Sequence, residues 1–169
     1  MITLAKGQLS GNLQQKRTFR FRQHCGRSPI VAILDMSTRY EQLRAAVANL
    51  AMPADLQVAY LDELFIPCTG GGSAEGYGNG ELVEQFYDIF LALNHMLEFE
   101  EIKQLEVDAI LLLDGILSPI CADQDDLLWT REALFTDERW KQIRIYASGV
   151  LKELPDQPRE SSYTRGLSA

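Results

Sequence analysis

Short apolar runs that alternate with helical segments are the feature of this chain that most restricts its fold. Two segments, residues 36–51 and 81–104, carry apolar residues at the spacing of an amphipathic helix. Four shorter runs are typical of strands buried in a sheet. These runs cover residues 30–34, 56–61, 107–113 and 143–147. Strands that alternate with helices predict an α/β fold in three layers, with a mainly parallel sheet and helices on both faces.

Local signals mark the first helix and the longest loop. Thr38 and Glu41 have the spacing of a capping box, with Ser37 as an alternative N-cap, and Pro53 is expected to end the helix. Residues 68–80 contain six glycines, so we expect them to form a loop.

The length of 169 residues and the hydrophobic content of 46% suit one soluble domain with a full core. We assign residues 28–154 to a single α/β domain. Residues 1–27 form a basic arm, in which Thr18–Arg22 alternates as an added, half-buried strand would. Residues 155–169 are polar, contain two prolines and are expected to be disordered.

Charge is distributed unevenly along the chain. The net charge is −8, yet residues 1–27 contain no acid, and the remaining chain carries 24 acidic against 10 basic residues. Such an arm is expected to lie on its own acidic body or on that of a second copy, and nucleic acid is its less favoured partner. The arm's basic residues are Lys6, Lys16, Arg17, Arg20, Arg22 and Arg27.

Cysteine usage and hydropathy indicate a cytoplasmic protein that does not enter a membrane. Cys25, Cys68 and Cys121 are odd in number and widely spaced, which argues against a disulfide framework and a zinc site and fits a reducing compartment. No apolar stretch approaches the roughly 20 residues that cross a bilayer. The first residues also lack the apolar core of a signal peptide.

Oxygen-bearing side chains follow the predicted strands. Asp35 and Ser37 come after the first strand, Thr69 opens the glycine run, and Asp114 ends the run 107–113. The carboxyl ends of parallel strands meet at one edge of a sheet, so these side chains are expected to converge there. Hard oxygen ligands favour Mg²⁺ or Mn²⁺, and a site without any ion is the alternative.

In these motifs the chain, over residues 30–153, resembles a von Willebrand factor A-type domain. The resemblance implies a Rossmann-like fold with a metal-ion-dependent adhesion site, at which a partner's carboxylate completes the cation's shell. Arg39 stands where the family has a second serine ligand, and its guanidinium would replace the ion by pairing with Asp35 and Asp114. The motifs are Asp35-Met36-Ser37-Thr38-Arg39, Thr69-Gly70-Gly71-Gly72-Ser73 and Leu113-Asp114-Gly115.

Each of these residues also has a purely structural interpretation. Asp35 and Ser37 suit the N-cap of a helix, Thr69 an ordinary loop position, and Asp114 a turn before Gly115. The sequence leaves these interpretations open beside the metal site.

We expect a non-enzymatic module that binds another protein at the carboxyl edge of the sheet, because no pair of catalytic residues stands out. A second copy of the chain is a further candidate partner. The alternative is a flavodoxin-like or nucleotide-using enzyme, in which the glycine-rich stretch 70–80 would hold a phosphate.

Overall fold

A computed structural model describes residues 38–123 and 125–159, and within these ranges the chain forms helices and no strand. Short 3₁₀ helices span Ile66–Thr69 and Asp126–Trp129. The predicted α/β fold, with its parallel sheet and von Willebrand factor A-like architecture, is therefore wrong for the described part of the chain. The α-helices of these ranges are α1 (Arg39–Ala51), α2 (Ala54–Phe65), α3 (Gly80–Phe90), α4 (Leu93–Glu98), α5 (Gln104–Ala122), α6 (Ala133–Thr136) and α7 (Glu138–Glu153).

Three of the four predicted strands are segments of helices. Residues 56–61 lie in α2, residues 107–113 in α5 and residues 143–147 in α7. The fourth, residues 30–34, lies outside the described residues. A short apolar run suits a helix with a broad buried face as well as a strand, and each of these runs belongs to an element of 12 or more residues.

The prediction for the first helix is confirmed from its cap onward. Helix α1 begins after Thr38, whose hydroxyl accepts a hydrogen bond from the Glu41 amide at 3.2 Å, while the Glu41 carboxylate accepts one from the Thr38 amide at 2.7 Å. Pro53 follows the end of α1 and serves as the N-cap residue of α2. Both ends of α1 could be predicted because Thr38, Glu41 and Pro53 act on the backbone within one turn of their own positions.

The predicted long helix 81–104 is instead divided. Helix α3 ends at Phe90, and α4 ends at Glu98. Glu100 then adopts a left-handed backbone conformation with a φ of 60°, which turns the chain toward α5. A non-glycine residue seldom adopts this conformation, so the break could not be predicted from composition.

Helix α7 packs between α1 and α5, and α3 packs against α1. The Tyr87 hydroxyl of α3 donates a hydrogen bond to the Asp114 carboxylate of α5 at 3.0 Å, which links α3 to α5. The four helices share one hydrophobic core, and its largest fully buried aromatic side chains are Trp140, Tyr40 and Phe86.

The glycine-rich loop packs against the segment that follows α5. A Cβ atom added to Gly78 would lie 2.2 Å from the Trp129 carbonyl oxygen, so only glycine fits there. The buried Asn79 side chain donates to the carbonyls of Leu128 and Thr130 at 3.0 and 2.7 Å. The Arg131 guanidinium donates to the Tyr77 carbonyl at 2.9 Å. The predicted loop is confirmed for residues 70–79, whereas residues 68–69 belong to a 3₁₀ helix and Gly80 begins α3. The contacts of the loop hold two distant segments together.

The segment after α7 crosses back over the body. The Pro155 carbonyl accepts hydrogen bonds from the Tyr40 hydroxyl at 2.5 Å and from the Arg44 Nε at 3.1 Å. Arg159 then reaches Glu106 at the start of α5. Residues 155–159 of the predicted tail are thus packed against α1 and α5, and residues 160–169 lie outside the described residues.

Candidate interaction surface

The predicted metal ligands do not share the setting that the sequence suggested. Asp35 and Ser37 lie outside the described residues. Thr69 closes a 3₁₀ turn, with its hydroxyl 2.8 Å from the Ile66 carbonyl oxygen and 2.9 Å from that of Gly72. Asp114 lies in the middle of α5 rather than at the end of a strand. The premise that parallel strands bring these residues to one edge is therefore wrong for the described part.

Arg39 is used in a different way from the one expected. Its guanidinium forms a salt bridge with Glu101 and lies 5.6 Å from the centre of the Phe99 ring. Within residues 38–123 and 125–159, no group of three or more His, Cys, Asp or Glu side chains is arranged to hold a metal ion. The four-residue metal site includes Asp35 and Ser37, and for that reason it stays a prediction.

Arg139 forms salt bridges with three acidic residues, two of which follow α5 in the chain. Arg139 lies 3.2 Å from the Asp123 carboxylate, 2.6 Å from that of Asp125 and 2.7 Å from that of Asp137. Hydrogen bonds from Arg139 hold the pKa values of Asp125 and Asp137 below their ordinary value. These carboxylates serve to anchor the start of α7 to the segment after α5.

Cys68 is disulfide-bonded, which the spacing of the cysteines did not predict. The cytoplasmic location stays a prediction. Hydropathy gives a separate result. None of the described helices, α5 included, is both long enough and apolar enough to cross a bilayer.

Helix α5 is apolar on the side that no described element covers. Its inward side is buried against the other helices through Val107, Ile110, Leu113 and Leu117. On the opposite side, the side chains of Leu105 and Leu112 are 67% and 66% exposed. A helix that is apolar all round is ordinarily buried all round, so its uncovered side is a feature that needs explaining.

The uncovered side has a regular pattern, and we call it the outward face of α5. Leu105, Ala109, Leu112 and Ile116 follow one another at spacings of four, three and four residues, which place them in one line along the helix. Leu105 and Leu112 are exposed, whereas Ala109 and Ile116 are partly buried and also pack against the hydrophobic core. Asp108 is the single charged residue among the exposed residues of this helix. Alternate spacings of three and four are typical of a seam that packs against another helix.

Sequence reasoning missed this face because it stopped at the apolar run 107–113. A signal was present, since the spacing of Leu105, Ala109, Leu112 and Ile116 is helical and extends beyond the length of an ordinary strand. The exposure of this face could not be predicted from the spacing, because it depends on which other elements pack against α5.

No family model, no curated protein and no solved structure matches this chain. Any function must therefore be argued from the chain's own residues.

Proposed function

We propose that this protein is a helical interaction module that binds another protein through the outward face of α5. The observation that carries the proposal is the pair of exposed leucines, Leu105 and Leu112, in line on a helix that is already buried on its other side. The proposal assigns no catalytic residue. It replaces the earlier expectation of a partner at the carboxyl edge of a sheet, because the described ranges contain no sheet.

Burial of this face would supply useful binding free energy. A fully buried leucine side chain gains about 1.5–3 kcal/mol over an exposed one, so two leucines at two-thirds exposure offer about 2–4 kcal/mol before the cost of association is subtracted. The line formed by Leu105, Ala109, Leu112 and Ile116 is straight along the helix axis. It suits an amphipathic helix of the partner, whose side chains would pack between these residues.

Charge indicates which partners are favoured. Residues 38–159 contain nine Lys or Arg and 22 Asp or Glu, a net charge of −13. Opposite charge on the partner steers association and suppresses acidic competitors. The favoured partner is therefore a protein segment with an apolar stripe and a basic rim.

The enzyme alternative receives no support from the geometry of the glycine loop. A flavodoxin-like enzyme requires a parallel sheet, and the described ranges have none. In the loop, Thr69 bonds to neighbouring carbonyls, and Gly78 and Asn79 are packed against residues 128–130. The presence of Gly78 and Asn79 in the loop is thus explained by packing and hydrogen bonding, without a bound phosphate.

The test compares two exposed leucine positions on the same protein. Leu112→Asp places a charge in the middle of the outward face, and Leu127→Asp places the same charge at another exposed leucine, 77% accessible, that lies outside α5. Proteins retained by the wild type and by each variant are identified by mass spectrometry, and binding of the purified partner is then measured by calorimetry.

We expect at least one partner that is retained by the wild type and by Leu127→Asp and is bound more than tenfold more weakly by Leu112→Asp. Circular dichroism should show that both variants keep the wild-type helix content. If all three proteins retain the same partners with equal affinity, the outward face of α5 is not the binding surface, and the proposal is wrong.

A further inference from the structure

We infer that Asn79 is a modification site, at which the chain deamidates itself when the glycine-rich loop opens and by which that opening becomes irreversible. Of the four asparagines in the sequence, Asn79 alone is followed by glycine. Glycine has no Cβ atom, so its backbone nitrogen is not shielded from the side chain of the preceding residue. The inference concerns the loop and is independent of the outward face of α5.

The reaction needs water and no other reagent. The backbone nitrogen of Gly80 attacks the Cγ atom of Asn79, so a carbon–nitrogen bond forms and the bond from Cγ to Nδ2 breaks. The side-chain amide leaves as ammonia and takes the proton that the Gly80 nitrogen loses. Water then opens the cyclic imide at one of its two carbonyl groups, which gives aspartate or isoaspartate at position 79. Either product carries a negative carboxylate in place of a neutral amide.

The closed loop holds Asn79 in a geometry that prevents this attack. Its backbone ψ angle is −1°, which places the Gly80 nitrogen eclipsed with the Asn79 nitrogen rather than with Cβ. The imide ring requires the other arrangement, because Cβ and the Gly80 nitrogen are both members of it. The side chain is also fully buried, and its Nδ2 atom donates to the carbonyls of Leu128 and Thr130 at 3.0 and 2.7 Å. The modification therefore requires the loop to open.

The product cannot restore the contacts of the closed loop. Both side-chain hydrogen bonds of Asn79 are donated by Nδ2, and Oδ1 has no partner in the described part of the chain. A carboxylate has no proton to donate near neutral pH, so in the closed loop the two carbonyl oxygens would face a buried negative charge. The closed form is thus destabilised once the reaction has occurred.

The tightest contact of the loop lies next to Asn79 and offers a way to loosen it. A Cβ atom added to Gly78 would lie 2.2 Å from the Trp129 carbonyl oxygen, to which the Asn79 amide donates at 3.3 Å. Gly78→Ala should therefore favour local opening while it leaves the Asn-Gly pair unchanged. Gly76→Ala is the matched control, because a Cβ atom there meets nothing within 4 Å.

The closing experiment measures the modification at Asn79 in the full-length protein by peptide mass spectrometry. The wild type, Gly78→Ala and Gly76→Ala are each incubated at slightly alkaline pH, with and without enough urea to unfold them. The rate in urea gives the intrinsic chemistry of each sequence, and the rate without urea shows how far the fold suppresses it. Asn94, which is exposed and followed by histidine, is the internal reference in every digest.

We expect Asn79 to react faster than Asn94 in urea, and at least tenfold more slowly in the native wild type than in urea, because the native rate follows the population of the open loop. Gly78→Ala should raise the native rate at least fivefold, and Gly76→Ala should leave it unchanged. Equal rates for the native and the unfolded wild type, or no reaction at Asn79 in urea, would overturn the inference. This comparison uses the wild type alone and holds even where Gly78→Ala fails to fold.

The irreversibility is tested with Asn79→Asp, which carries the carboxylate from the start. We expect its urea midpoint, followed by circular dichroism, to lie below that of the wild type, whereas Asn94→Asp should keep the wild-type midpoint because Asn94 is exposed. Equal midpoints for the two variants would show that the closed loop tolerates the product, and the irreversibility would be wrong. None of these measurements involves Leu112, so the inference and the proposed function can fail independently.

Discussion

Arg159 and Glu106 form a two-point salt bridge that connects the end of the described chain to the first turn of α5. The two terminal nitrogens of Arg159 lie 2.6 and 2.5 Å from the two carboxylate oxygens of Glu106, which is buried. The same carboxylate accepts a hydrogen bond from the Lys103 amide at 2.7 Å. Glu106 thus holds both the start of α5 and the segment that crosses over it.

Loss of Arg159 should destabilise the protein because it leaves a buried carboxylate without its cation. For Arg159→Gln we expect a fall in the free energy of unfolding of roughly 2 kcal/mol, less than for a fully buried pair because water reaches the guanidinium. Urea unfolding followed by circular dichroism measures it. Lys152→Gln is the control, because Lys152 is an exposed cation in the last turn of α7. A loss no larger than that of Lys152→Gln would show that the salt bridge contributes nothing.

Two isoleucines of α7 distinguish the helix from the strand that the sequence suggested. Ile143 is fully buried and Ile145 is 68% exposed, although in a strand they would point to the same side. We expect Ile143→Ala to lower the free energy of unfolding by about 2–4 kcal/mol and Ile145→Ala by less than about 0.5 kcal/mol. Equal losses measured by urea unfolding would contradict the helix.

Two glycines of the same loop should respond differently to a single methyl group. Gly78→Ala forces a Cβ against the Trp129 carbonyl oxygen, whereas Gly76→Ala meets nothing within 4 Å. We expect a loss of about 1–3 kcal/mol for Gly78→Ala and a change within about 0.5 kcal/mol for Gly76→Ala. Thermal unfolding monitored by circular dichroism compares the variants. Similar melting temperatures for the two variants would mean that the loop does not pack on Trp129.

Stability in acid should depend on Arg139. Hydrogen bonds from Arg139 hold the pKa values of Asp125 and Asp137 below 3.8, so each carboxylate contributes stability above its unfolded pKa and loses it as pH falls through the folded pKa. Arg139→Gln should therefore be less stable than the wild type near neutral pH, and the difference should shrink below about pH 4. Urea midpoints measured across this range test it. A difference that stays constant with pH would exclude these carboxylates as its source.

The parts of the fold that could be predicted depend on neighbouring residues in sequence. The Thr38–Glu41 capping box and Pro53 marked the limits of α1 because their hydrogen bonds and steric effects act within one turn. The loop at 68–80 could be predicted for a similar reason. The run 107–113 alone did not distinguish a strand from a helix, because its six apolar residues suit a buried strand and a buried helix equally well.

The candidate surface depended on information that a single sequence does not contain. The spacing of Leu105 and Leu112 places both on one side of a helix, but it does not show that no described helix covers this side, which depends on where the other helices pack. The contact between Gly78 and Trp129 could not be predicted from the sequence either, because the two residues are far apart in sequence and meet only after folding.

The bond between Tyr40 and Pro155 joins positions 115 residues apart, and α7 lies between α1 and α5. During synthesis, α1 can pack against α3 first, but its contact with α7 must wait until residues 138–153 have left the ribosome. Until then the part of α1 that α7 covers stays exposed to association with other unfolded chains.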